Sequence, residues 1–170
     1  MNCCLWRMRP EGAFRKELDM GLYFPMYVDL SSKRVRFIGG GKIAARRIAS
    51  ILDFAGSVTV VAPEVEPVIK LLADNEMLTL HQRRFSEDDL DDADIVCAAM
   101  GHPGTEVRIG GMCRRRGILF NAASDESLCD FCFPGIVRRD PLVIGVSASG
   151  EDHELEAKAT KYLKGIFEKK

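Results

Sequence analysis

The chain alternates short apolar runs with longer stretches in which apolar residues recur at helical spacing. Strands are predicted at Arg34–Ile38, Val58–Val61, Met77–His81, Asp94–Ala99 and Ile118–Ala122. Helices are predicted at Lys42–Phe54, Pro67–Asp74 and Thr105–Arg116, and Gly117 is a stop signal for the last. Val58–Val61 is an unbroken β-branched run, typical of a parallel strand buried on both faces. This alternation predicts a parallel sheet with crossover helices.

The C-terminal part of the chain departs from the alternation. Two apolar strands, Phe131–Val137 and Leu142–Val146, are joined by a turn at Arg138–Pro141, and a helix follows over Glu154–Phe167. The two strands are too hydrophobic to stand alone at a sheet edge, so we expect a second copy of the chain to cover them. The chain is thus divided into a flexible N-terminal extension (1–19), an α/β domain (20–125) and a dimerisation segment with its terminal helix (126–170).

Composition narrows the class of partner. The 170 residues suit one domain, and a hydrophobic share of 46% with 29% charged residues is ordinary for a globular protein. No apolar run approaches the roughly 20 residues that cross a bilayer, and Met1–Asp19 lacks the apolar segment of a secretory signal. The net charge of −1 gives no argument for nucleic acid. We therefore predict a cytoplasmic protein with neither membrane nor nucleic acid as its partner.

The cysteines favour packing over metal chemistry. The chain has six, at Cys3, Cys4, Cys97, Cys113, Cys129 and Cys132. Cys129 and Cys132 form one C-x-x-C pair, which leaves metal or redox chemistry open as an alternative. A tetrahedral zinc site needs four ligands and usually a second such pair, which is absent from the sequence. Reduced, packed thiols are the expectation, and no metal site is predicted.

A glycine-rich turn follows the first predicted strand directly, in the segment FIGGGKIAARR. Gly39, Gly41 and Ala44 match the pattern G-x-G-x-x-G/A, with the required strand before and helix after. The first glycine allows the tight turn, the second lets a pyrophosphate approach the backbone, and the alanine lets helix and strand pack closely. The predicted cofactor-binding residues are Gly39, Gly40, Gly41, Lys42, Ile43, Ala44, Pro63, Ala99 and Asn121. The fold class predicted is α/β, a Rossmann-type parallel sheet with a strand-rich dimerisation segment and a C-terminal helix.

The end of the second strand bears on the choice between NAD and NADP. An acidic residue there commonly holds the adenosine ribose, and an arginine accommodates a 2′-phosphate. The strand ends in VVAPEV, with Pro63 where that acid often lies, Glu64 just beyond it and no arginine. The sequence therefore favours NAD.

One long stretch of sequence goes beyond a generic dinucleotide-binding domain. The segments YFPMYVDL, GGGKIAARR, VTVVAP, DLDDADIVCAA and GILFNAASDESLCDFCFPGIVRRDPLVIGVSASG occur in that order between Leu22 and Leu155. In these segments the chain resembles the precorrin-2 dehydrogenases, the N-terminal modules of sirohaem synthases. The resemblance implies NAD-dependent oxidation of precorrin-2 to sirohydrochlorin, on the way to sirohaem or related tetrapyrroles, in a homodimer. Some members of that family also insert a divalent metal into the product.

The chain departs from that family at positions that bear on catalysis. The family commonly has an aspartate three residues after the asparagine, where this chain has Ser124, followed by Asp125. Where the family has a Thr-Asp pair after the fourth strand, this chain has Met100, Gly101 and His102. Hydride transfer depends chiefly on positioning the cofactor against the substrate, so we expect it to persist. We expect metal insertion to be weak or absent.

The resemblance, together with position in the predicted fold, nominates the remaining site residues. Ser124, Asp125 and His102 are the catalytic candidates, because the crevice of an open α/β sheet lies at its strand ends. Arg138 and Ser147 are the candidates for binding the carboxylate-rich tetrapyrrole. Turn chemistry alone also explains the polar cluster at the strand exit. The alternative function is a non-catalytic carrier of tetrapyrrole or metal. A third, an NAD-sensing regulatory domain, is disfavoured by the stretch NAASDESLCDFCFPGIV.

Overall fold

The computed structural model describes residues 23–150 and 152–168, and its centre is a parallel sheet. The sheet strands are β1 Arg34–Ile38, β2 Ser57–Val61, β3 Thr79–His81, β4 Ile95–Ala98 and β5 Leu119–Ala122. They pair in the order β3-β2-β1-β4-β5, every pair parallel. The predicted extension at residues 1–19 and the domain start at residue 20 lie outside the described residues.

Side chains alternate across this sheet and build a core on each face. On β1, Val35 and Phe37 pack into one core and Ile38 into the other. The first core is completed by the helices α1 Lys42–Ile51 and α2 Pro67–Asp74, and the second by α3 Pro103–Arg116. Burial on both faces is the reason that β2 contains the β-branched run Val58–Val61. The predicted Rossmann-type α/β class is confirmed.

The helices differ from prediction mainly at their ends. Helix α1 ends at Ile51 rather than at Phe54, because its last carbonyl already accepts from the amides of Phe54 and Ala55 in a turn. Helix α3 begins at Pro103 rather than at Thr105, since proline suits the first helical position, where no amide hydrogen is needed. It ends at Arg116, and its C-cap Gly117 takes the left-handed conformation with φ 69°, as the stop signal predicts.

A separate unit follows the sheet. Strands β6 Gly135–Arg139 and β7 Leu142–Val146 form an antiparallel hairpin, and helix α4, His153–Glu168, follows. The predicted strand at Phe131–Val137 is wrong in its first half, because residues 130 and 131 bond to β5 instead: the Asp130 amide donates to the Phe120 carbonyl. Among the described residues, no helix is both long and apolar enough to cross a membrane.

The strand order determines which edge of the sheet can bind a ligand. The chain leaves β1 toward β2 on one side, while β4 pairs on the other side of β1. The carboxyl ends of β1 and β4 therefore flank a crevice of the kind that binds ligands in open α/β sheets. The glycine turn follows β1 at this edge, and the polar segment that begins at Asn121 leaves β5 beside it.

Candidate functional site

The glycine turn is held between two neighbouring strand ends. The Gly39 amide donates to the Val61 carbonyl at 3.0 Å, and the Ala99 amide donates to the Ile38 carbonyl at 2.8 Å. Gly39 has φ 109°, and a Cβ atom there would overlap the Ala99 carbonyl oxygen. The first glycine of the pattern is therefore required by the approach of β1 to β4.

Gly41 has different surroundings. It is the N-cap of α1, and a Cβ atom placed on it would meet nothing within 4 Å. The first turn of α1 has no acidic residue and receives no hydrogen bond from a capping side chain. Its amide groups and the positive end of the helix dipole therefore face open space, the arrangement that binds a pyrophosphate. The residues present fit a dinucleotide.

The other predicted cofactor residues surround this turn. Lys42 and Pro63 are exposed, and Ala99 is half-buried beside the turn. Ile43 is 45% exposed in the first turn of α1, an apolar side chain that a bound nucleotide would cover. Ala44 is fully buried, as the close packing of helix on strand requires.

A cleft of about 1020 Å³ lies between the sheet domain and the hairpin unit. One wall comes from α1 and the end of β5, and the other from β6 and α4. Its lining includes four cationic side chains, Arg46 and Arg47 on α1 with Lys161 and Lys164 on α4, and three acidic ones, Asp125, Glu126 and Glu156. The cleft therefore has the size to receive a large molecule, and its arginine and lysine side chains can bind anionic groups of that molecule.

Two buried polar atoms of the cleft residues have no partner within the described protein. Arg47 Nη1 is one, and its guanidinium lies over the Phe133 ring at 5.1 Å. Burial lowers the pKa of Arg47, the direction expected for a cation taken from water. Asn121 Oδ1 is the other, because the amide nitrogen of Asn121 donates to the Phe131 carbonyl at 2.6 Å. A ligand with an anionic group and an N–H donor would satisfy both atoms.

Ser124 lines the cleft and is bonded to a buried carboxylate. Its hydroxyl donates to Glu106 Oε2, and its amide donates to the same oxygen at 3.2 Å. The Met100 amide donates to the other oxygen of Glu106 at 3.1 Å. Glu106 is fully buried on α3 and so ties together the ends of β4 and β5.

The other two catalytic candidates have different surroundings. Asp125 also lines the cleft, but its carboxylate accepts from the amide and the hydroxyl of Ser127, at 2.9 and 2.6 Å, and caps the turn that begins at Glu126. His102 is the exposed N-cap residue of α3 and is not among the described residues that line the cleft. The structure thus brings Ser124, Asp125 and Asn121 together and leaves His102 apart.

The two predicted substrate residues separate as well. Ser147 lines the cleft, with its hydroxyl 3.8 Å from the Cys132 sulfur. Arg138 lies at the end of β6, where it binds Asp140 at 2.9 Å and Asp53 at 3.1 Å. Arg138 is not among the described residues that line the cleft. Cationic residues that the sequence reasoning missed, above all Arg47, occupy the wall instead.

The C-x-x-C pair is divided between two environments. Cys129 Sγ bonds with the backbone of Ala122, and burial raises the pKa of this thiol. Cys132 lies at the cleft near Ser147. In the part of the chain that the structure describes, no three histidine, cysteine or acidic side chains gather as metal ligands would.

Comparison with known proteins places the chain in a family. Residues 26–135 match the family described as "Putative NAD(P)-binding". Siroheme synthase 1 of Klebsiella pneumoniae is 35% identical over 129 residues, which are 76% of this chain and 27% of that protein. Siroheme synthase 1 of Serratia proteamaculans is 30% identical over 129 residues, with the same coverage of 76% and 27%. A protein of Ruminiclostridium josui named as probable multifunctional siroheme biosynthesis protein HemA is 30% identical over 93% of this chain and 32% of its own length.

A solved structure, titled SirC, precorrin-2 dehydrogenase, has the same fold. It superposes with a TM-score of 0.69 at 24% identity, over 85% of this chain and 71% of that one. The chain spans about a quarter to a third of the length of the curated relatives it matches, 27% for the Klebsiella protein and 32% for the Ruminiclostridium protein. These matches confirm the resemblance carried by the sequence segments and the nicotinamide-dinucleotide class of the predicted cofactor.

Proposed function

Because the chain belongs to this NAD(P)-binding family, we propose that it is an NAD-dependent oxidoreductase that converts precorrin-2 to sirohydrochlorin in sirohaem biosynthesis. The single observation that carries the proposal is the juxtaposition of two sites along α1. The helix begins at the open Gly41 position and carries Arg47 into the wall of the cleft. Six residues of helix span about 9 Å, so one helix serves both ligands.

Each site has a separate task in the proposed reaction. When bound, NAD accepts a hydride from the substrate, and the amides of the first turn of α1 hold its pyrophosphate. Arg47 holds a carboxylate of the tetrapyrrole, and Asn121 Oδ1 accepts from an N–H group of either ligand. The exposed Pro63 and Glu64 at the end of β2 support NAD over NADP, because neither welcomes a 2′-phosphate.

We expect little metal insertion by this protein. Insertion of a divalent cation needs a charged group that attracts the metal, which a carboxylate does and the neutral hydroxyl of Ser124 does not. The carboxylate bonded to Ser124 is Glu106, which is buried and is not among the described residues that line the cleft. The proposed activity is therefore oxidation, with chelation weak or absent.

A homodimer in the cytoplasm is part of the proposal. Helix α4 has an exposed apolar stripe of Leu155, Tyr162 and Ile166, at 58%, 72% and 47% exposure. The hairpin beside it exposes Leu142, and such a surface is commonly covered by a second copy. The four described cysteines are free thiols, the state that a reducing compartment maintains.

Anaerobic incubation of the protein with precorrin-2 and NAD tests the proposal. We expect sirohydrochlorin and NADH to appear together in equal amounts, followed by absorbance. A carrier would instead bind the tetrapyrrole without forming NADH, and an NAD-sensing domain would bind NAD alone. Either result would replace the dehydrogenase with the corresponding alternative.

A further inference from the structure

Oxidation of the substrate releases a proton, which needs an acceptor. In the proposed dehydrogenation, one hydrogen leaves the substrate as a hydride to NAD. The bond to a second hydrogen then breaks with its electron pair retained in the new double bond, so that hydrogen leaves as a proton. A positioned acceptor within hydrogen-bond reach is the usual solution. The identity of that acceptor is an inference that rests on the proposed function.

Three described carboxylates lie near the end of β5, and their surroundings differ: Asp125 and Glu126 line the cleft, and Glu106 lies behind Ser124. The Tyr23 hydroxyl donates to Glu126 at 3.4 Å. Asp125 is held by its own turn, through the Ser127 amide and hydroxyl. Glu106 is fully buried and contacts the cleft only through Ser124. Both oxygens of Glu106 accept backbone amides, a pattern that suits an ionised carboxylate, which is an acceptor only.

The direction of the hydrogen bond from Ser124 to Glu106 determines whether the hydroxyl can donate to or accept from a molecule in the cleft. Because the hydroxyl donates its hydrogen to Glu106 Oε2, only its lone pairs are available to a molecule in the cleft. An acceptor facing the substrate with a carboxylate behind it is the arrangement that activates a serine hydroxyl in other enzymes through a general base. Ser124 thus stands between a proton source and a buried anion.

We propose that Ser124 and Glu106 form a proton relay, with Ser124 as the catalytic residue and Glu106 as its positioning residue. The substrate proton bonds to Ser124 Oγ as the serine hydrogen passes to Glu106 Oε2. The serine is left as a neutral hydroxyl and Glu106 as a neutral acid. After product leaves, the same two transfers run in reverse and deliver the proton to water in the open cleft.

Four variants test the relay with steady-state kinetics for precorrin-2. Ser124→Ala and Glu106→Gln are each expected to lower kcat by about 100-fold, the usual range for loss of a general base, with little change in KM. Ser124→Thr, which keeps a hydroxyl, should recover most of kcat. The double variant Ser124→Ala with Glu106→Gln should be no slower than either single variant, because both remove the same relay.

Asp89→Asn is the matched control. Asp89 is another buried carboxylate bonded to a backbone amide, that of Ser86 at 2.8 Å, and it does not line the cleft. Its variant should lose stability but keep kcat, which separates a structural effect of removing a buried charge from loss of the relay. Kinetic variants are compared only at temperatures where their circular dichroism matches that of the unaltered protein.

A measurement without substrate or cofactor examines the bond itself. With glutamate labelled at its side-chain carboxyl carbon, the NMR resonance absent from Glu106→Gln identifies Glu106. We expect it to have the shift of a carboxylate and to move in Ser124→Ala. The relay would be overturned if Ser124→Ala left the Glu106 resonance in place, or if both single variants kept the kcat of the unaltered enzyme. In either case, activity of the unaltered enzyme would still uphold the proposed function. An inactive unaltered protein would instead overturn the proposed function, and the relay with it.

Discussion

At the scale of single residues, Gly39 and Gly41 are both parts of the dinucleotide turn but have different surroundings. A side chain at Gly39 meets the Ala99 carbonyl, whereas one at Gly41 enters open space. We predict that Gly41→Asp abolishes NAD binding without lowering the melting temperature, since the added side chain and its charge occupy the pyrophosphate position and aspartate suits an N-cap. Titration calorimetry and thermal unfolding measure the two effects.

Gly39→Ala is the comparison for this prediction. It should lower the melting temperature, because φ 109° and the overlap with Ala99 strain the folded state. NAD affinity that survives in folded Gly41→Asp would show that the dinucleotide lies elsewhere.

Arg47 and Arg138 give a second pair of opposed expectations. Arg47 lines the cleft with an unpartnered nitrogen, whereas Arg138 binds Asp53 and Asp140. We predict that Arg47→Met raises KM for precorrin-2 by about tenfold or more, the range for a lost charged hydrogen bond, and leaves NAD affinity intact. Arg138→Met should change neither value. The opposite ranking would restore Arg138 as the substrate residue that the sequence suggests.

Arg47 and Glu106 also show what the sequence contained but did not yield. Arg47 stands three residues after Ala44 and one before Ile48, and so it falls on the buried face of α1. Glu106 stands three residues before Ile109 in the same relation on α3. A charge on an apolar helix face is a signal that local pattern carries. The role of the buried charge cannot be read from the same helix, because the hydrogen-bond partners of Glu106 come from the ends of two strands.

At the scale of elements, period and composition predict the five strands and the helices, whereas the ends depend on contacts made later. The glycine turn is predictable because its motif has a fixed place between strand and helix. The start of β6 is not, since the residues before it bond to β5. The cleft is beyond the sequence altogether, because α4 reaches its wall only through tertiary packing.

Helix α3 contains adjacent glycines with opposite roles. A Cβ atom on Gly110 would lie 2.8 Å from the buried Phe120 ring, whereas one on Gly111 would meet only the flexible end of Arg115, at 3.7 Å. We predict that Gly110→Ala lowers the free energy of unfolding by about 1–3 kcal/mol through overpacking. Gly111→Ala should raise it by roughly 0.5–1 kcal/mol through helix propensity. Urea denaturation measures both, and equal effects would contradict the close packing of α3 on β5.

At the scale of the whole molecule, the hairpin unit has an exposed apolar surface, made by Leu142 with Leu155, Tyr162 and Ile166 of α4. We predict a dimer at micromolar concentration and a monomer for the double variant Tyr162→Glu with Ile166→Glu, because two like charges in a buried apolar contact have no partner. Leu71→Glu, at a residue 59% exposed on α2, is the control and should stay dimeric. Light scattering distinguishes them; a monomeric unaltered protein would rule out this assembly.

The cysteines differ in how readily an alkylating reagent reaches them. Burial raises the pKa of Cys97 to about 12 and that of Cys113 to about 11, so both are shielded thiols with almost no thiolate at neutral pH. Cys97 lies in β4, paired to β1 and β5, and an alkylating reagent reaches it only when the sheet opens. Cys132 borders the cleft, where a bound ligand would shield it. We expect the rate of alkylation of Cys132, measured by peptide mass, to fall as the cleft is occupied by ligand. The rate for Cys97 should follow global unfolding. The alkylation rates of two cysteines in one protein therefore report ligand binding and stability separately.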